Sequence, residues 1–95
     1  MKWNEVLIEL LAGKVARRKE WEWGTYIYVS GNYEIPVDKL THPILKETVK
    51  KVNKDIGTIN IYPHIDLFIQ GDIEVGYNLP TKDILADDWE FVEEE

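Results

Sequence analysis

Lys14-Val15-Ala16-Arg17-Arg18-Lys19 runs directly into Glu20-Trp21-Glu22-Trp23-Gly24-Thr25-Tyr26-Ile27-Tyr28. Four of the chain's eleven Lys and Arg residues occupy those first six positions, beside its densest aromatic segment. Guanidinium groups grip phosphate oxygens in pairs of hydrogen bonds, and a nucleobase stacked on an aromatic face gains about 1–3 kcal/mol. The pairing therefore suits a small phosphorylated nucleotide. The competing reading is that Trp21 and Trp23 fill the core while the arginines pair with surplus carboxylates, since most aromatics of small domains are buried.

Two other stretches carry usable chemistry. In Tyr62-Pro63-His64-Ile65-Asp66 the His and Asp share one face of a strand. With His42 the only other histidine and no cysteine, the ligands are too few for a metal site, and a hydrogen-bonded pair at the strand entry is expected. Asn78-Leu79-Pro80-Thr81-Lys82-Asp83 precedes an apolar pair, so a helix N-terminus there offers backbone N–H groups to phosphate or ribose, with Asn78, Thr81 and Asp83 as side-chain partners. A plainly capped helix accounts for the same residues. No glycine-rich phosphate loop and no recognisable nucleophile, base and orienting group are found, so no catalytic residues, cofactor or enzyme activity are expected.

The elements that must position these groups follow from periodicity. Trp3, Val6, Leu7, Leu10 and Leu11 recur at helical spacing, with Gly13 as the left-handed stop. Lys14 to Arg18 reads as a short strand with Arg17 and Arg18 on opposite faces. An unbroken strand over 21–29 would put Trp21 and Trp23 opposite Tyr26 and Tyr28, whereas a bulge at Gly24 would bring all four to one side. Ser30-Gly31-Asn32 predicts a turn returning Tyr33–Pro36 as the hairpin partner. A helix is predicted from Pro43 to about Lys54, started by Thr41 or His42, with Lys46, Lys50, Lys51 and Lys54 outside. Strands at Thr58–Tyr62, His64–Gln70 and Ile73–Tyr77, the last two joined across Gly71-Asp72, a short helix over Thr81–Asp87 and a strand at Trp89–Val92 complete the chain. The expected fold is α+β: a small antiparallel sheet with the N-terminal helix packed on it, an inserted helix and a short C-terminal helix, all in one domain over 1–95.

The formal charge of −7 argues against a general nucleic-acid or anionic-membrane surface. The absence of cysteine excludes disulfides and thiolate chemistry, and no apolar run reaches membrane-spanning length, so a soluble, unprocessed protein is expected.

Gly13-Lys14-Val15-Ala16-Arg17-Arg18 after a helix, then Trp21, Pro63-His64-Ile65-Asp66, and Asp83-Ile84-Leu85-Ala86-Asp87-Asp88-Trp89-Glu90 together resemble the phage-encoded Thoeris anti-defence protein two family. The resemblance covers nearly all of the chain except about 38–57, which looks like a family-variable insertion. It implies a sponge in the host cytoplasm that sequesters cyclic ADP-ribose isomers such as glycocyclic ADP-ribose without degrading them, so that the downstream effector stays off. It also implies a homodimer or homotetramer with ligand pockets between subunits. By motif position, Arg18, three before Trp21, is the phosphate candidate; Trp21, Trp23 and Tyr26 would stack the base or ribose. Asp83 and Thr81, with Asn78, would take ribose hydroxyls or the exocyclic amine. Tyr77 stands where many members have a tryptophan, and Arg17 offers a second register for the arginine. Two other functions suit the composition: an acidic, DNA-mimic-like inhibitor docking through Asp83–Glu95, with its seven carboxylates, on a host protein, and a purely structural phage component.

Overall fold

The computed structural model describes residues 1–52 and 54–92. Along the chain run α1 (Trp3–Leu11), β1 (Ala16–Arg18), β2 (Thr25–Ser30), β3 (Tyr33–Pro36), a 3-10 turn (Val37–Lys39) and α2 (Pro43–Val52). Then follow β4 (Thr58–Ile61), β5 (His64–Ile69), β6 (Asp72–Glu74), α3 (Thr81–Ile84) and β7 (Trp89–Phe91). These elements form the expected α+β fold, and they separate into two compact units: Met1–Ser30 with the described residues from His64 onward, and Gly31–Pro63.

The larger unit is a five-stranded antiparallel sheet in the order β6-β5-β2-β1-β7. Val6 and Leu10, one helical turn apart on α1, pack with Ala16, Ile27, Leu67 and Trp89 to make the core. Ile27 faces Leu67 across β2 and β5, and Ala16 faces Ile27 and Phe91, so these strands present alternate residues to one helix-covered face. The helix stops where the sequence predicts. Gly13 has φ of 101°, the Gly13 N–H donates to the Leu10 carbonyl at 3.0 Å, and the Lys14 N–H donates to the Glu9 carbonyl at 3.1 Å. That pair of bonds satisfies carbonyls the last turn would otherwise strand. The predicted β5–β6 hairpin forms, but its two-residue loop is Gln70 and Gly71, both at positive φ, rather than Gly71 and Asp72, because Asp72 already pairs with Ile69.

Two expectations are corrected. No single strand runs from 21 to 29. β1 and β2 are antiparallel neighbours, so the chain must reverse between Arg18 and Thr25; it does so through turns closed by Trp21 N–H to the Arg18 carbonyl and Thr25 N–H to the Glu22 carbonyl, with Gly24 at φ 94°. The second correction concerns β3, which does not pair with β2. The turn at Gly31-Asn32 exists, with φ of 95° and 62°, but a strand has only two edges and those of β2 are taken by β1 and β5. β3 pairs instead with β4, from Tyr33 opposite Ile61 to Pro36 opposite Thr58. The last strands and α3 are also shorter than the pattern suggests, at Asp72–Glu74, Trp89–Phe91 and Thr81–Ile84.

Within the smaller unit the β3–β4 ladder is extended by the Val37 N–H donating to the Gly57 carbonyl at 3.0 Å. α2 starts at Pro43, its N–H of Leu45 donating to His42 Nδ1 at 3.2 Å, which selects His42 over Thr41 as the cap. Lys50 pairs with Asp38 at 2.9 Å. Among the described residues of this unit only Val37 is fully buried.

Candidate functional site

β1 lies between β2 and β7, so both of its arginines are 8% exposed. Because alternate residues face opposite ways, the two guanidinium groups meet different surroundings. Arg18 shares the helix-covered face with Ala16 and Trp89. Its Nε donates to Asp88 Oδ1 at 2.7 Å, and its Nη1 reaches Asp83 Oδ1 at 2.6 Å and Glu20 Oε1 at 2.7 Å. A buried charge requires such partners. The Asp88 bond holds the Arg18 guanidinium above its ordinary range, and the same bond holds the Asp88 carboxyl below its own. Asp83, 2% exposed, also lends its backbone carbonyl to Trp89 Nε1 at 2.9 Å, which ties α3 to β7. Arg18 and Asp83, two predicted ligand contacts, are thus brought together, and each is engaged by the other.

The tryptophans part company. Trp21 is half-buried, its ring edge-on to Trp89 at 5.2 Å, and Trp89 in turn meets Trp3 at 5.3 Å. Trp23 is 76% exposed and lies with Arg17 on the other side of the sheet. The Arg17 guanidinium carbon is 5.2 Å from the Trp23 ring centre; Trp23 meets Tyr26 edge-on at 6.4 Å, and Tyr26 stacks on its cross-strand partner Phe68 at 6.0 Å with the planes 6° apart. Arg17 donates from Nη2 to the Trp21 carbonyl and stands 3.5 Å from Glu90, while its Nε has no hydrogen-bond partner among the described residues.

Further along this face Tyr28 stands opposite Asp66. Burial, and then the Asp66 charge, push the Tyr28 hydroxyl above its ordinary range, so it remains a hydrogen-bond donor at neutral pH. Asp66 accepts from the Gly76 N–H at 3.2 Å and pairs with His64 at 3.2 Å, the couple expected at this strand entry. The result is a row of rings, Trp23, Tyr26 and Phe68, with a guanidinium at the Trp23 end and the Tyr28 phenol two residues along β2 from Tyr26. α1 and α3 both engage the opposite face, through Ala16, Arg18, Ile27 and Trp89. Such a row can receive the face of a planar ring, and the guanidinium beside it can receive an anion.

The remaining predicted residues lie elsewhere. Tyr77 is half-buried against the core, its hydroxyl pushed up by burial and by the charges of Asp83 and Glu74. Asn78 and Thr81 are exposed in and after the loop that leads to α3. Surface depressions of about 340 Å³ occur in the smaller unit, around Tyr33, Asn60 and Tyr62 and around Asp38, Lys50 and Lys54, and neither includes a predicted residue. Among the described residues no group of three or more His, Cys, Asp or Glu could hold a metal ion.

Phe68 was not among the predicted residues, and Arg17 entered only as an alternative register. Both were recoverable in principle. Arg17 alternates with Ala16, whose small apolar side chain marks the core face, and Phe68 alternates with Leu67. Compared with known protein families, the chain matches Tad2-like, the Thoeris anti-defense 2-like domain, over residues 1–92. None of the curated proteins matches it.

Proposed function

The chain belongs to the Thoeris anti-defense 2-like family, an anti-Thoeris phage protein family, and from that premise we propose that it acts as a sponge for a cyclic ADP-ribose-type signal. On this reading the protein binds glycocyclic ADP-ribose reversibly in the host cytoplasm and leaves it intact, so the Thoeris effector is never activated. The observation that carries the proposal is the ring row Trp23, Tyr26 and Phe68 with Arg17 at its end. An adenine needs a flat apolar surface and a pyrophosphate needs a cation, and both are supplied on one face of one sheet.

Stacking is assigned to Trp23 and Tyr26, and phosphate contact to Arg17, whose guanidinium lies beside the Trp23 ring. Arg18 acts through structure, holding Asp83 and Asp88. Asn78 and Thr81 are free to contribute ribose contacts from a second subunit of a homodimer or homotetramer, with the pocket completed between copies. No catalytic step is assigned, since a sponge needs affinity and not turnover. Millimolar binding, about −4 kcal/mol, would be too weak to silence a signal.

The acidic-inhibitor reading is weakened by the ion pairs. Of the carboxylates from Asp83 onward, Asp83 and Asp88 are both held by Arg18, and Glu90 faces Arg17, so three of the seven are engaged within the chain. Incubation with glycocyclic ADP-ribose, removal of protein by filtration and heat release of the bound fraction test the proposal. It expects depletion followed by recovery of intact ligand; degraded ligand, or no depletion, contradicts it.

A further inference from the structure

On the face away from α1, the side chains of β2 and β5 form three successive cross-strand pairs: Tyr26 with Phe68, Tyr28 with Asp66, and Ser30 with His64. The first pair is the stacked end of the ring row. The second sets a phenol against a carboxylate, about 7 Å further along the strands. A nucleotide whose base lies on Tyr26 and Phe68 has its sugar within reach of that second pair.

Asp66 is only 4% exposed, and a carboxylate is seldom buried without partners. Both of its contacts use one oxygen: Oδ1 accepts from the Gly76 N–H at 3.2 Å and lies 3.2 Å from His64 Nε2. These contacts hold the carboxylate in place and leave Oδ2 without a hydrogen bond among the described residues. The half-buried Tyr28 hydroxyl makes none among them either. Burial and the Asp66 charge keep that hydroxyl protonated, so the pair offers one donor and one acceptor side by side.

The charges around the patch give a ligand its direction. Arg17 flanks Tyr26 on the β1 side, since Ala16 pairs with Ile27, whereas Asp66 flanks Tyr28 on the β5 side. A cation and an anion therefore stand at opposite corners of one patch. The cation draws a pyrophosphate, while the carboxylate repels it and accepts from neutral hydroxyls. A vicinal diol fits best: one O–H donates to Oδ2, and the neighbouring oxygen accepts from the Tyr28 hydroxyl.

Resting on the assignment of stacking to the ring row, we propose that Tyr28 and Asp66 read the vicinal diol of a ribose and so select ligands that carry it over their deoxy counterparts. A site built to hydrogen-bond a hydroxyl discriminates against the analogue that lacks it, because its own polar groups are then left unpaired.

Calorimetric titration with glycocyclic ADP-ribose, and with a deoxy analogue lacking one hydroxyl of its vicinal diol, tests this. Wild type is expected to prefer the parent ligand by about 10- to 100-fold, the range of a hydrogen bond to a charged group. Tyr28→Phe and Asp66→Asn, which keep the shape of each side chain, are expected to lower affinity for the parent by about threefold or more and to leave affinity for the analogue within about twofold of wild type. A role confined to the fold would weaken both ligands alike. Tyr28→Phe removes one oxygen that bonds nothing among the described residues, so the test stands even where Asp66→Asn fails to fold. Equal affinity of wild type for the two ligands overturns the proposal, and so does a parallel loss of both in Tyr28→Phe. Trp23→Ala separates the two claims. If it weakens binding while wild type ignores the missing hydroxyl, the selectivity inference falls alone; if wild type binds neither ligand, or Trp23→Ala binds as wild type does, the ring-row reading falls and this inference with it.

Discussion

Removing the Asp83 carboxylate should unfold much of what joins α3 to the sheet. In the native chain Asp83 is 2% exposed and its Oδ1 lies 2.6 Å from Arg18 Nη1. Breaking a buried ion pair by deleting one partner costs about 3–5 kcal/mol, chiefly because the other charge is left without compensation. Arg18 would keep Asp88 at 2.7 Å and Glu20 at 2.7 Å, the latter on a side chain 51% exposed and so partly screened. We therefore expect Asp83→Ala to cost somewhat less, about 2–4 kcal/mol. At about 4–8 °C per kcal/mol for a domain of this size, Tm falls by roughly 8–32 °C. Urea or thermal unfolding followed by circular dichroism reads this directly.

The reverse deletion, Arg18→Met, leaves three carboxylates facing one another, Asp83 the most buried of them, and should be the more damaging. The double variant Arg18→Met/Asp83→Leu should recover part of that loss, with a coupling of about 2 kcal/mol. Folded Asp83→Ala protein should bind the cyclic nucleotide as wild type does. Loss of stability within about 0.5 kcal/mol of zero, together with weakened ligand binding, would refute the reasoning and return Arg18 and Asp83 to the binding surface.

The same cluster predicts an acid response. The Arg18 bond holds the Asp88 carboxyl below its ordinary 3.8, so its folded-state value is lower than its unfolded one. Its contribution is complete above the unfolded value and is lost as pH falls through the folded one. Asp88→Asn should therefore be less stable than wild type at neutral pH, with the difference in urea midpoint shrinking as pH falls below the unfolded value and vanishing only below the folded one. Gly13→Ala meets no neighbouring atom within 4 Å, yet must hold φ near 101°, so a loss of about 1–2 kcal/mol is expected from the backbone alone. Equilibrium urea titration measures it, and Gly13→Asn should lose less.

The sequence made the order of elements legible because each carried its own local signal. Val6 and Leu10 at helical spacing, Gly13 at the stop, Pro43 behind His42, and Gly71 in a tight turn need no knowledge of distant partners. Strand pairing is different. Whether β3 returns to β2 depends on whether β5 already occupies that edge, and nothing between residues 25 and 36 records this. The tryptophans were ambiguous for a related reason. Alternation counts residues along one strand, whereas Glu20 to Gly24 form the reversal between two, so Trp21 and Trp23 take their sides from turn geometry. Of the candidate site, the cationic and aromatic composition was legible. Which arginine lies on the face away from α1 was recorded only by Ala16, whose small apolar side chain shares the helix-covered face with Arg18.

The central claim is that Trp23, beside Arg17, receives a planar anionic ligand while Trp21 serves the core. Calorimetric titration of glycocyclic ADP-ribose into wild type, Trp23→Ala and Trp21→Phe tests it most directly. Wild type and folded Trp21→Phe should bind at submillimolar or tighter levels, and Trp23→Ala should lose about five- to a hundredfold, the equivalent of one stacked ring. Equal affinity in wild type and Trp23→Ala, or loss confined to Trp21→Phe, would contradict it.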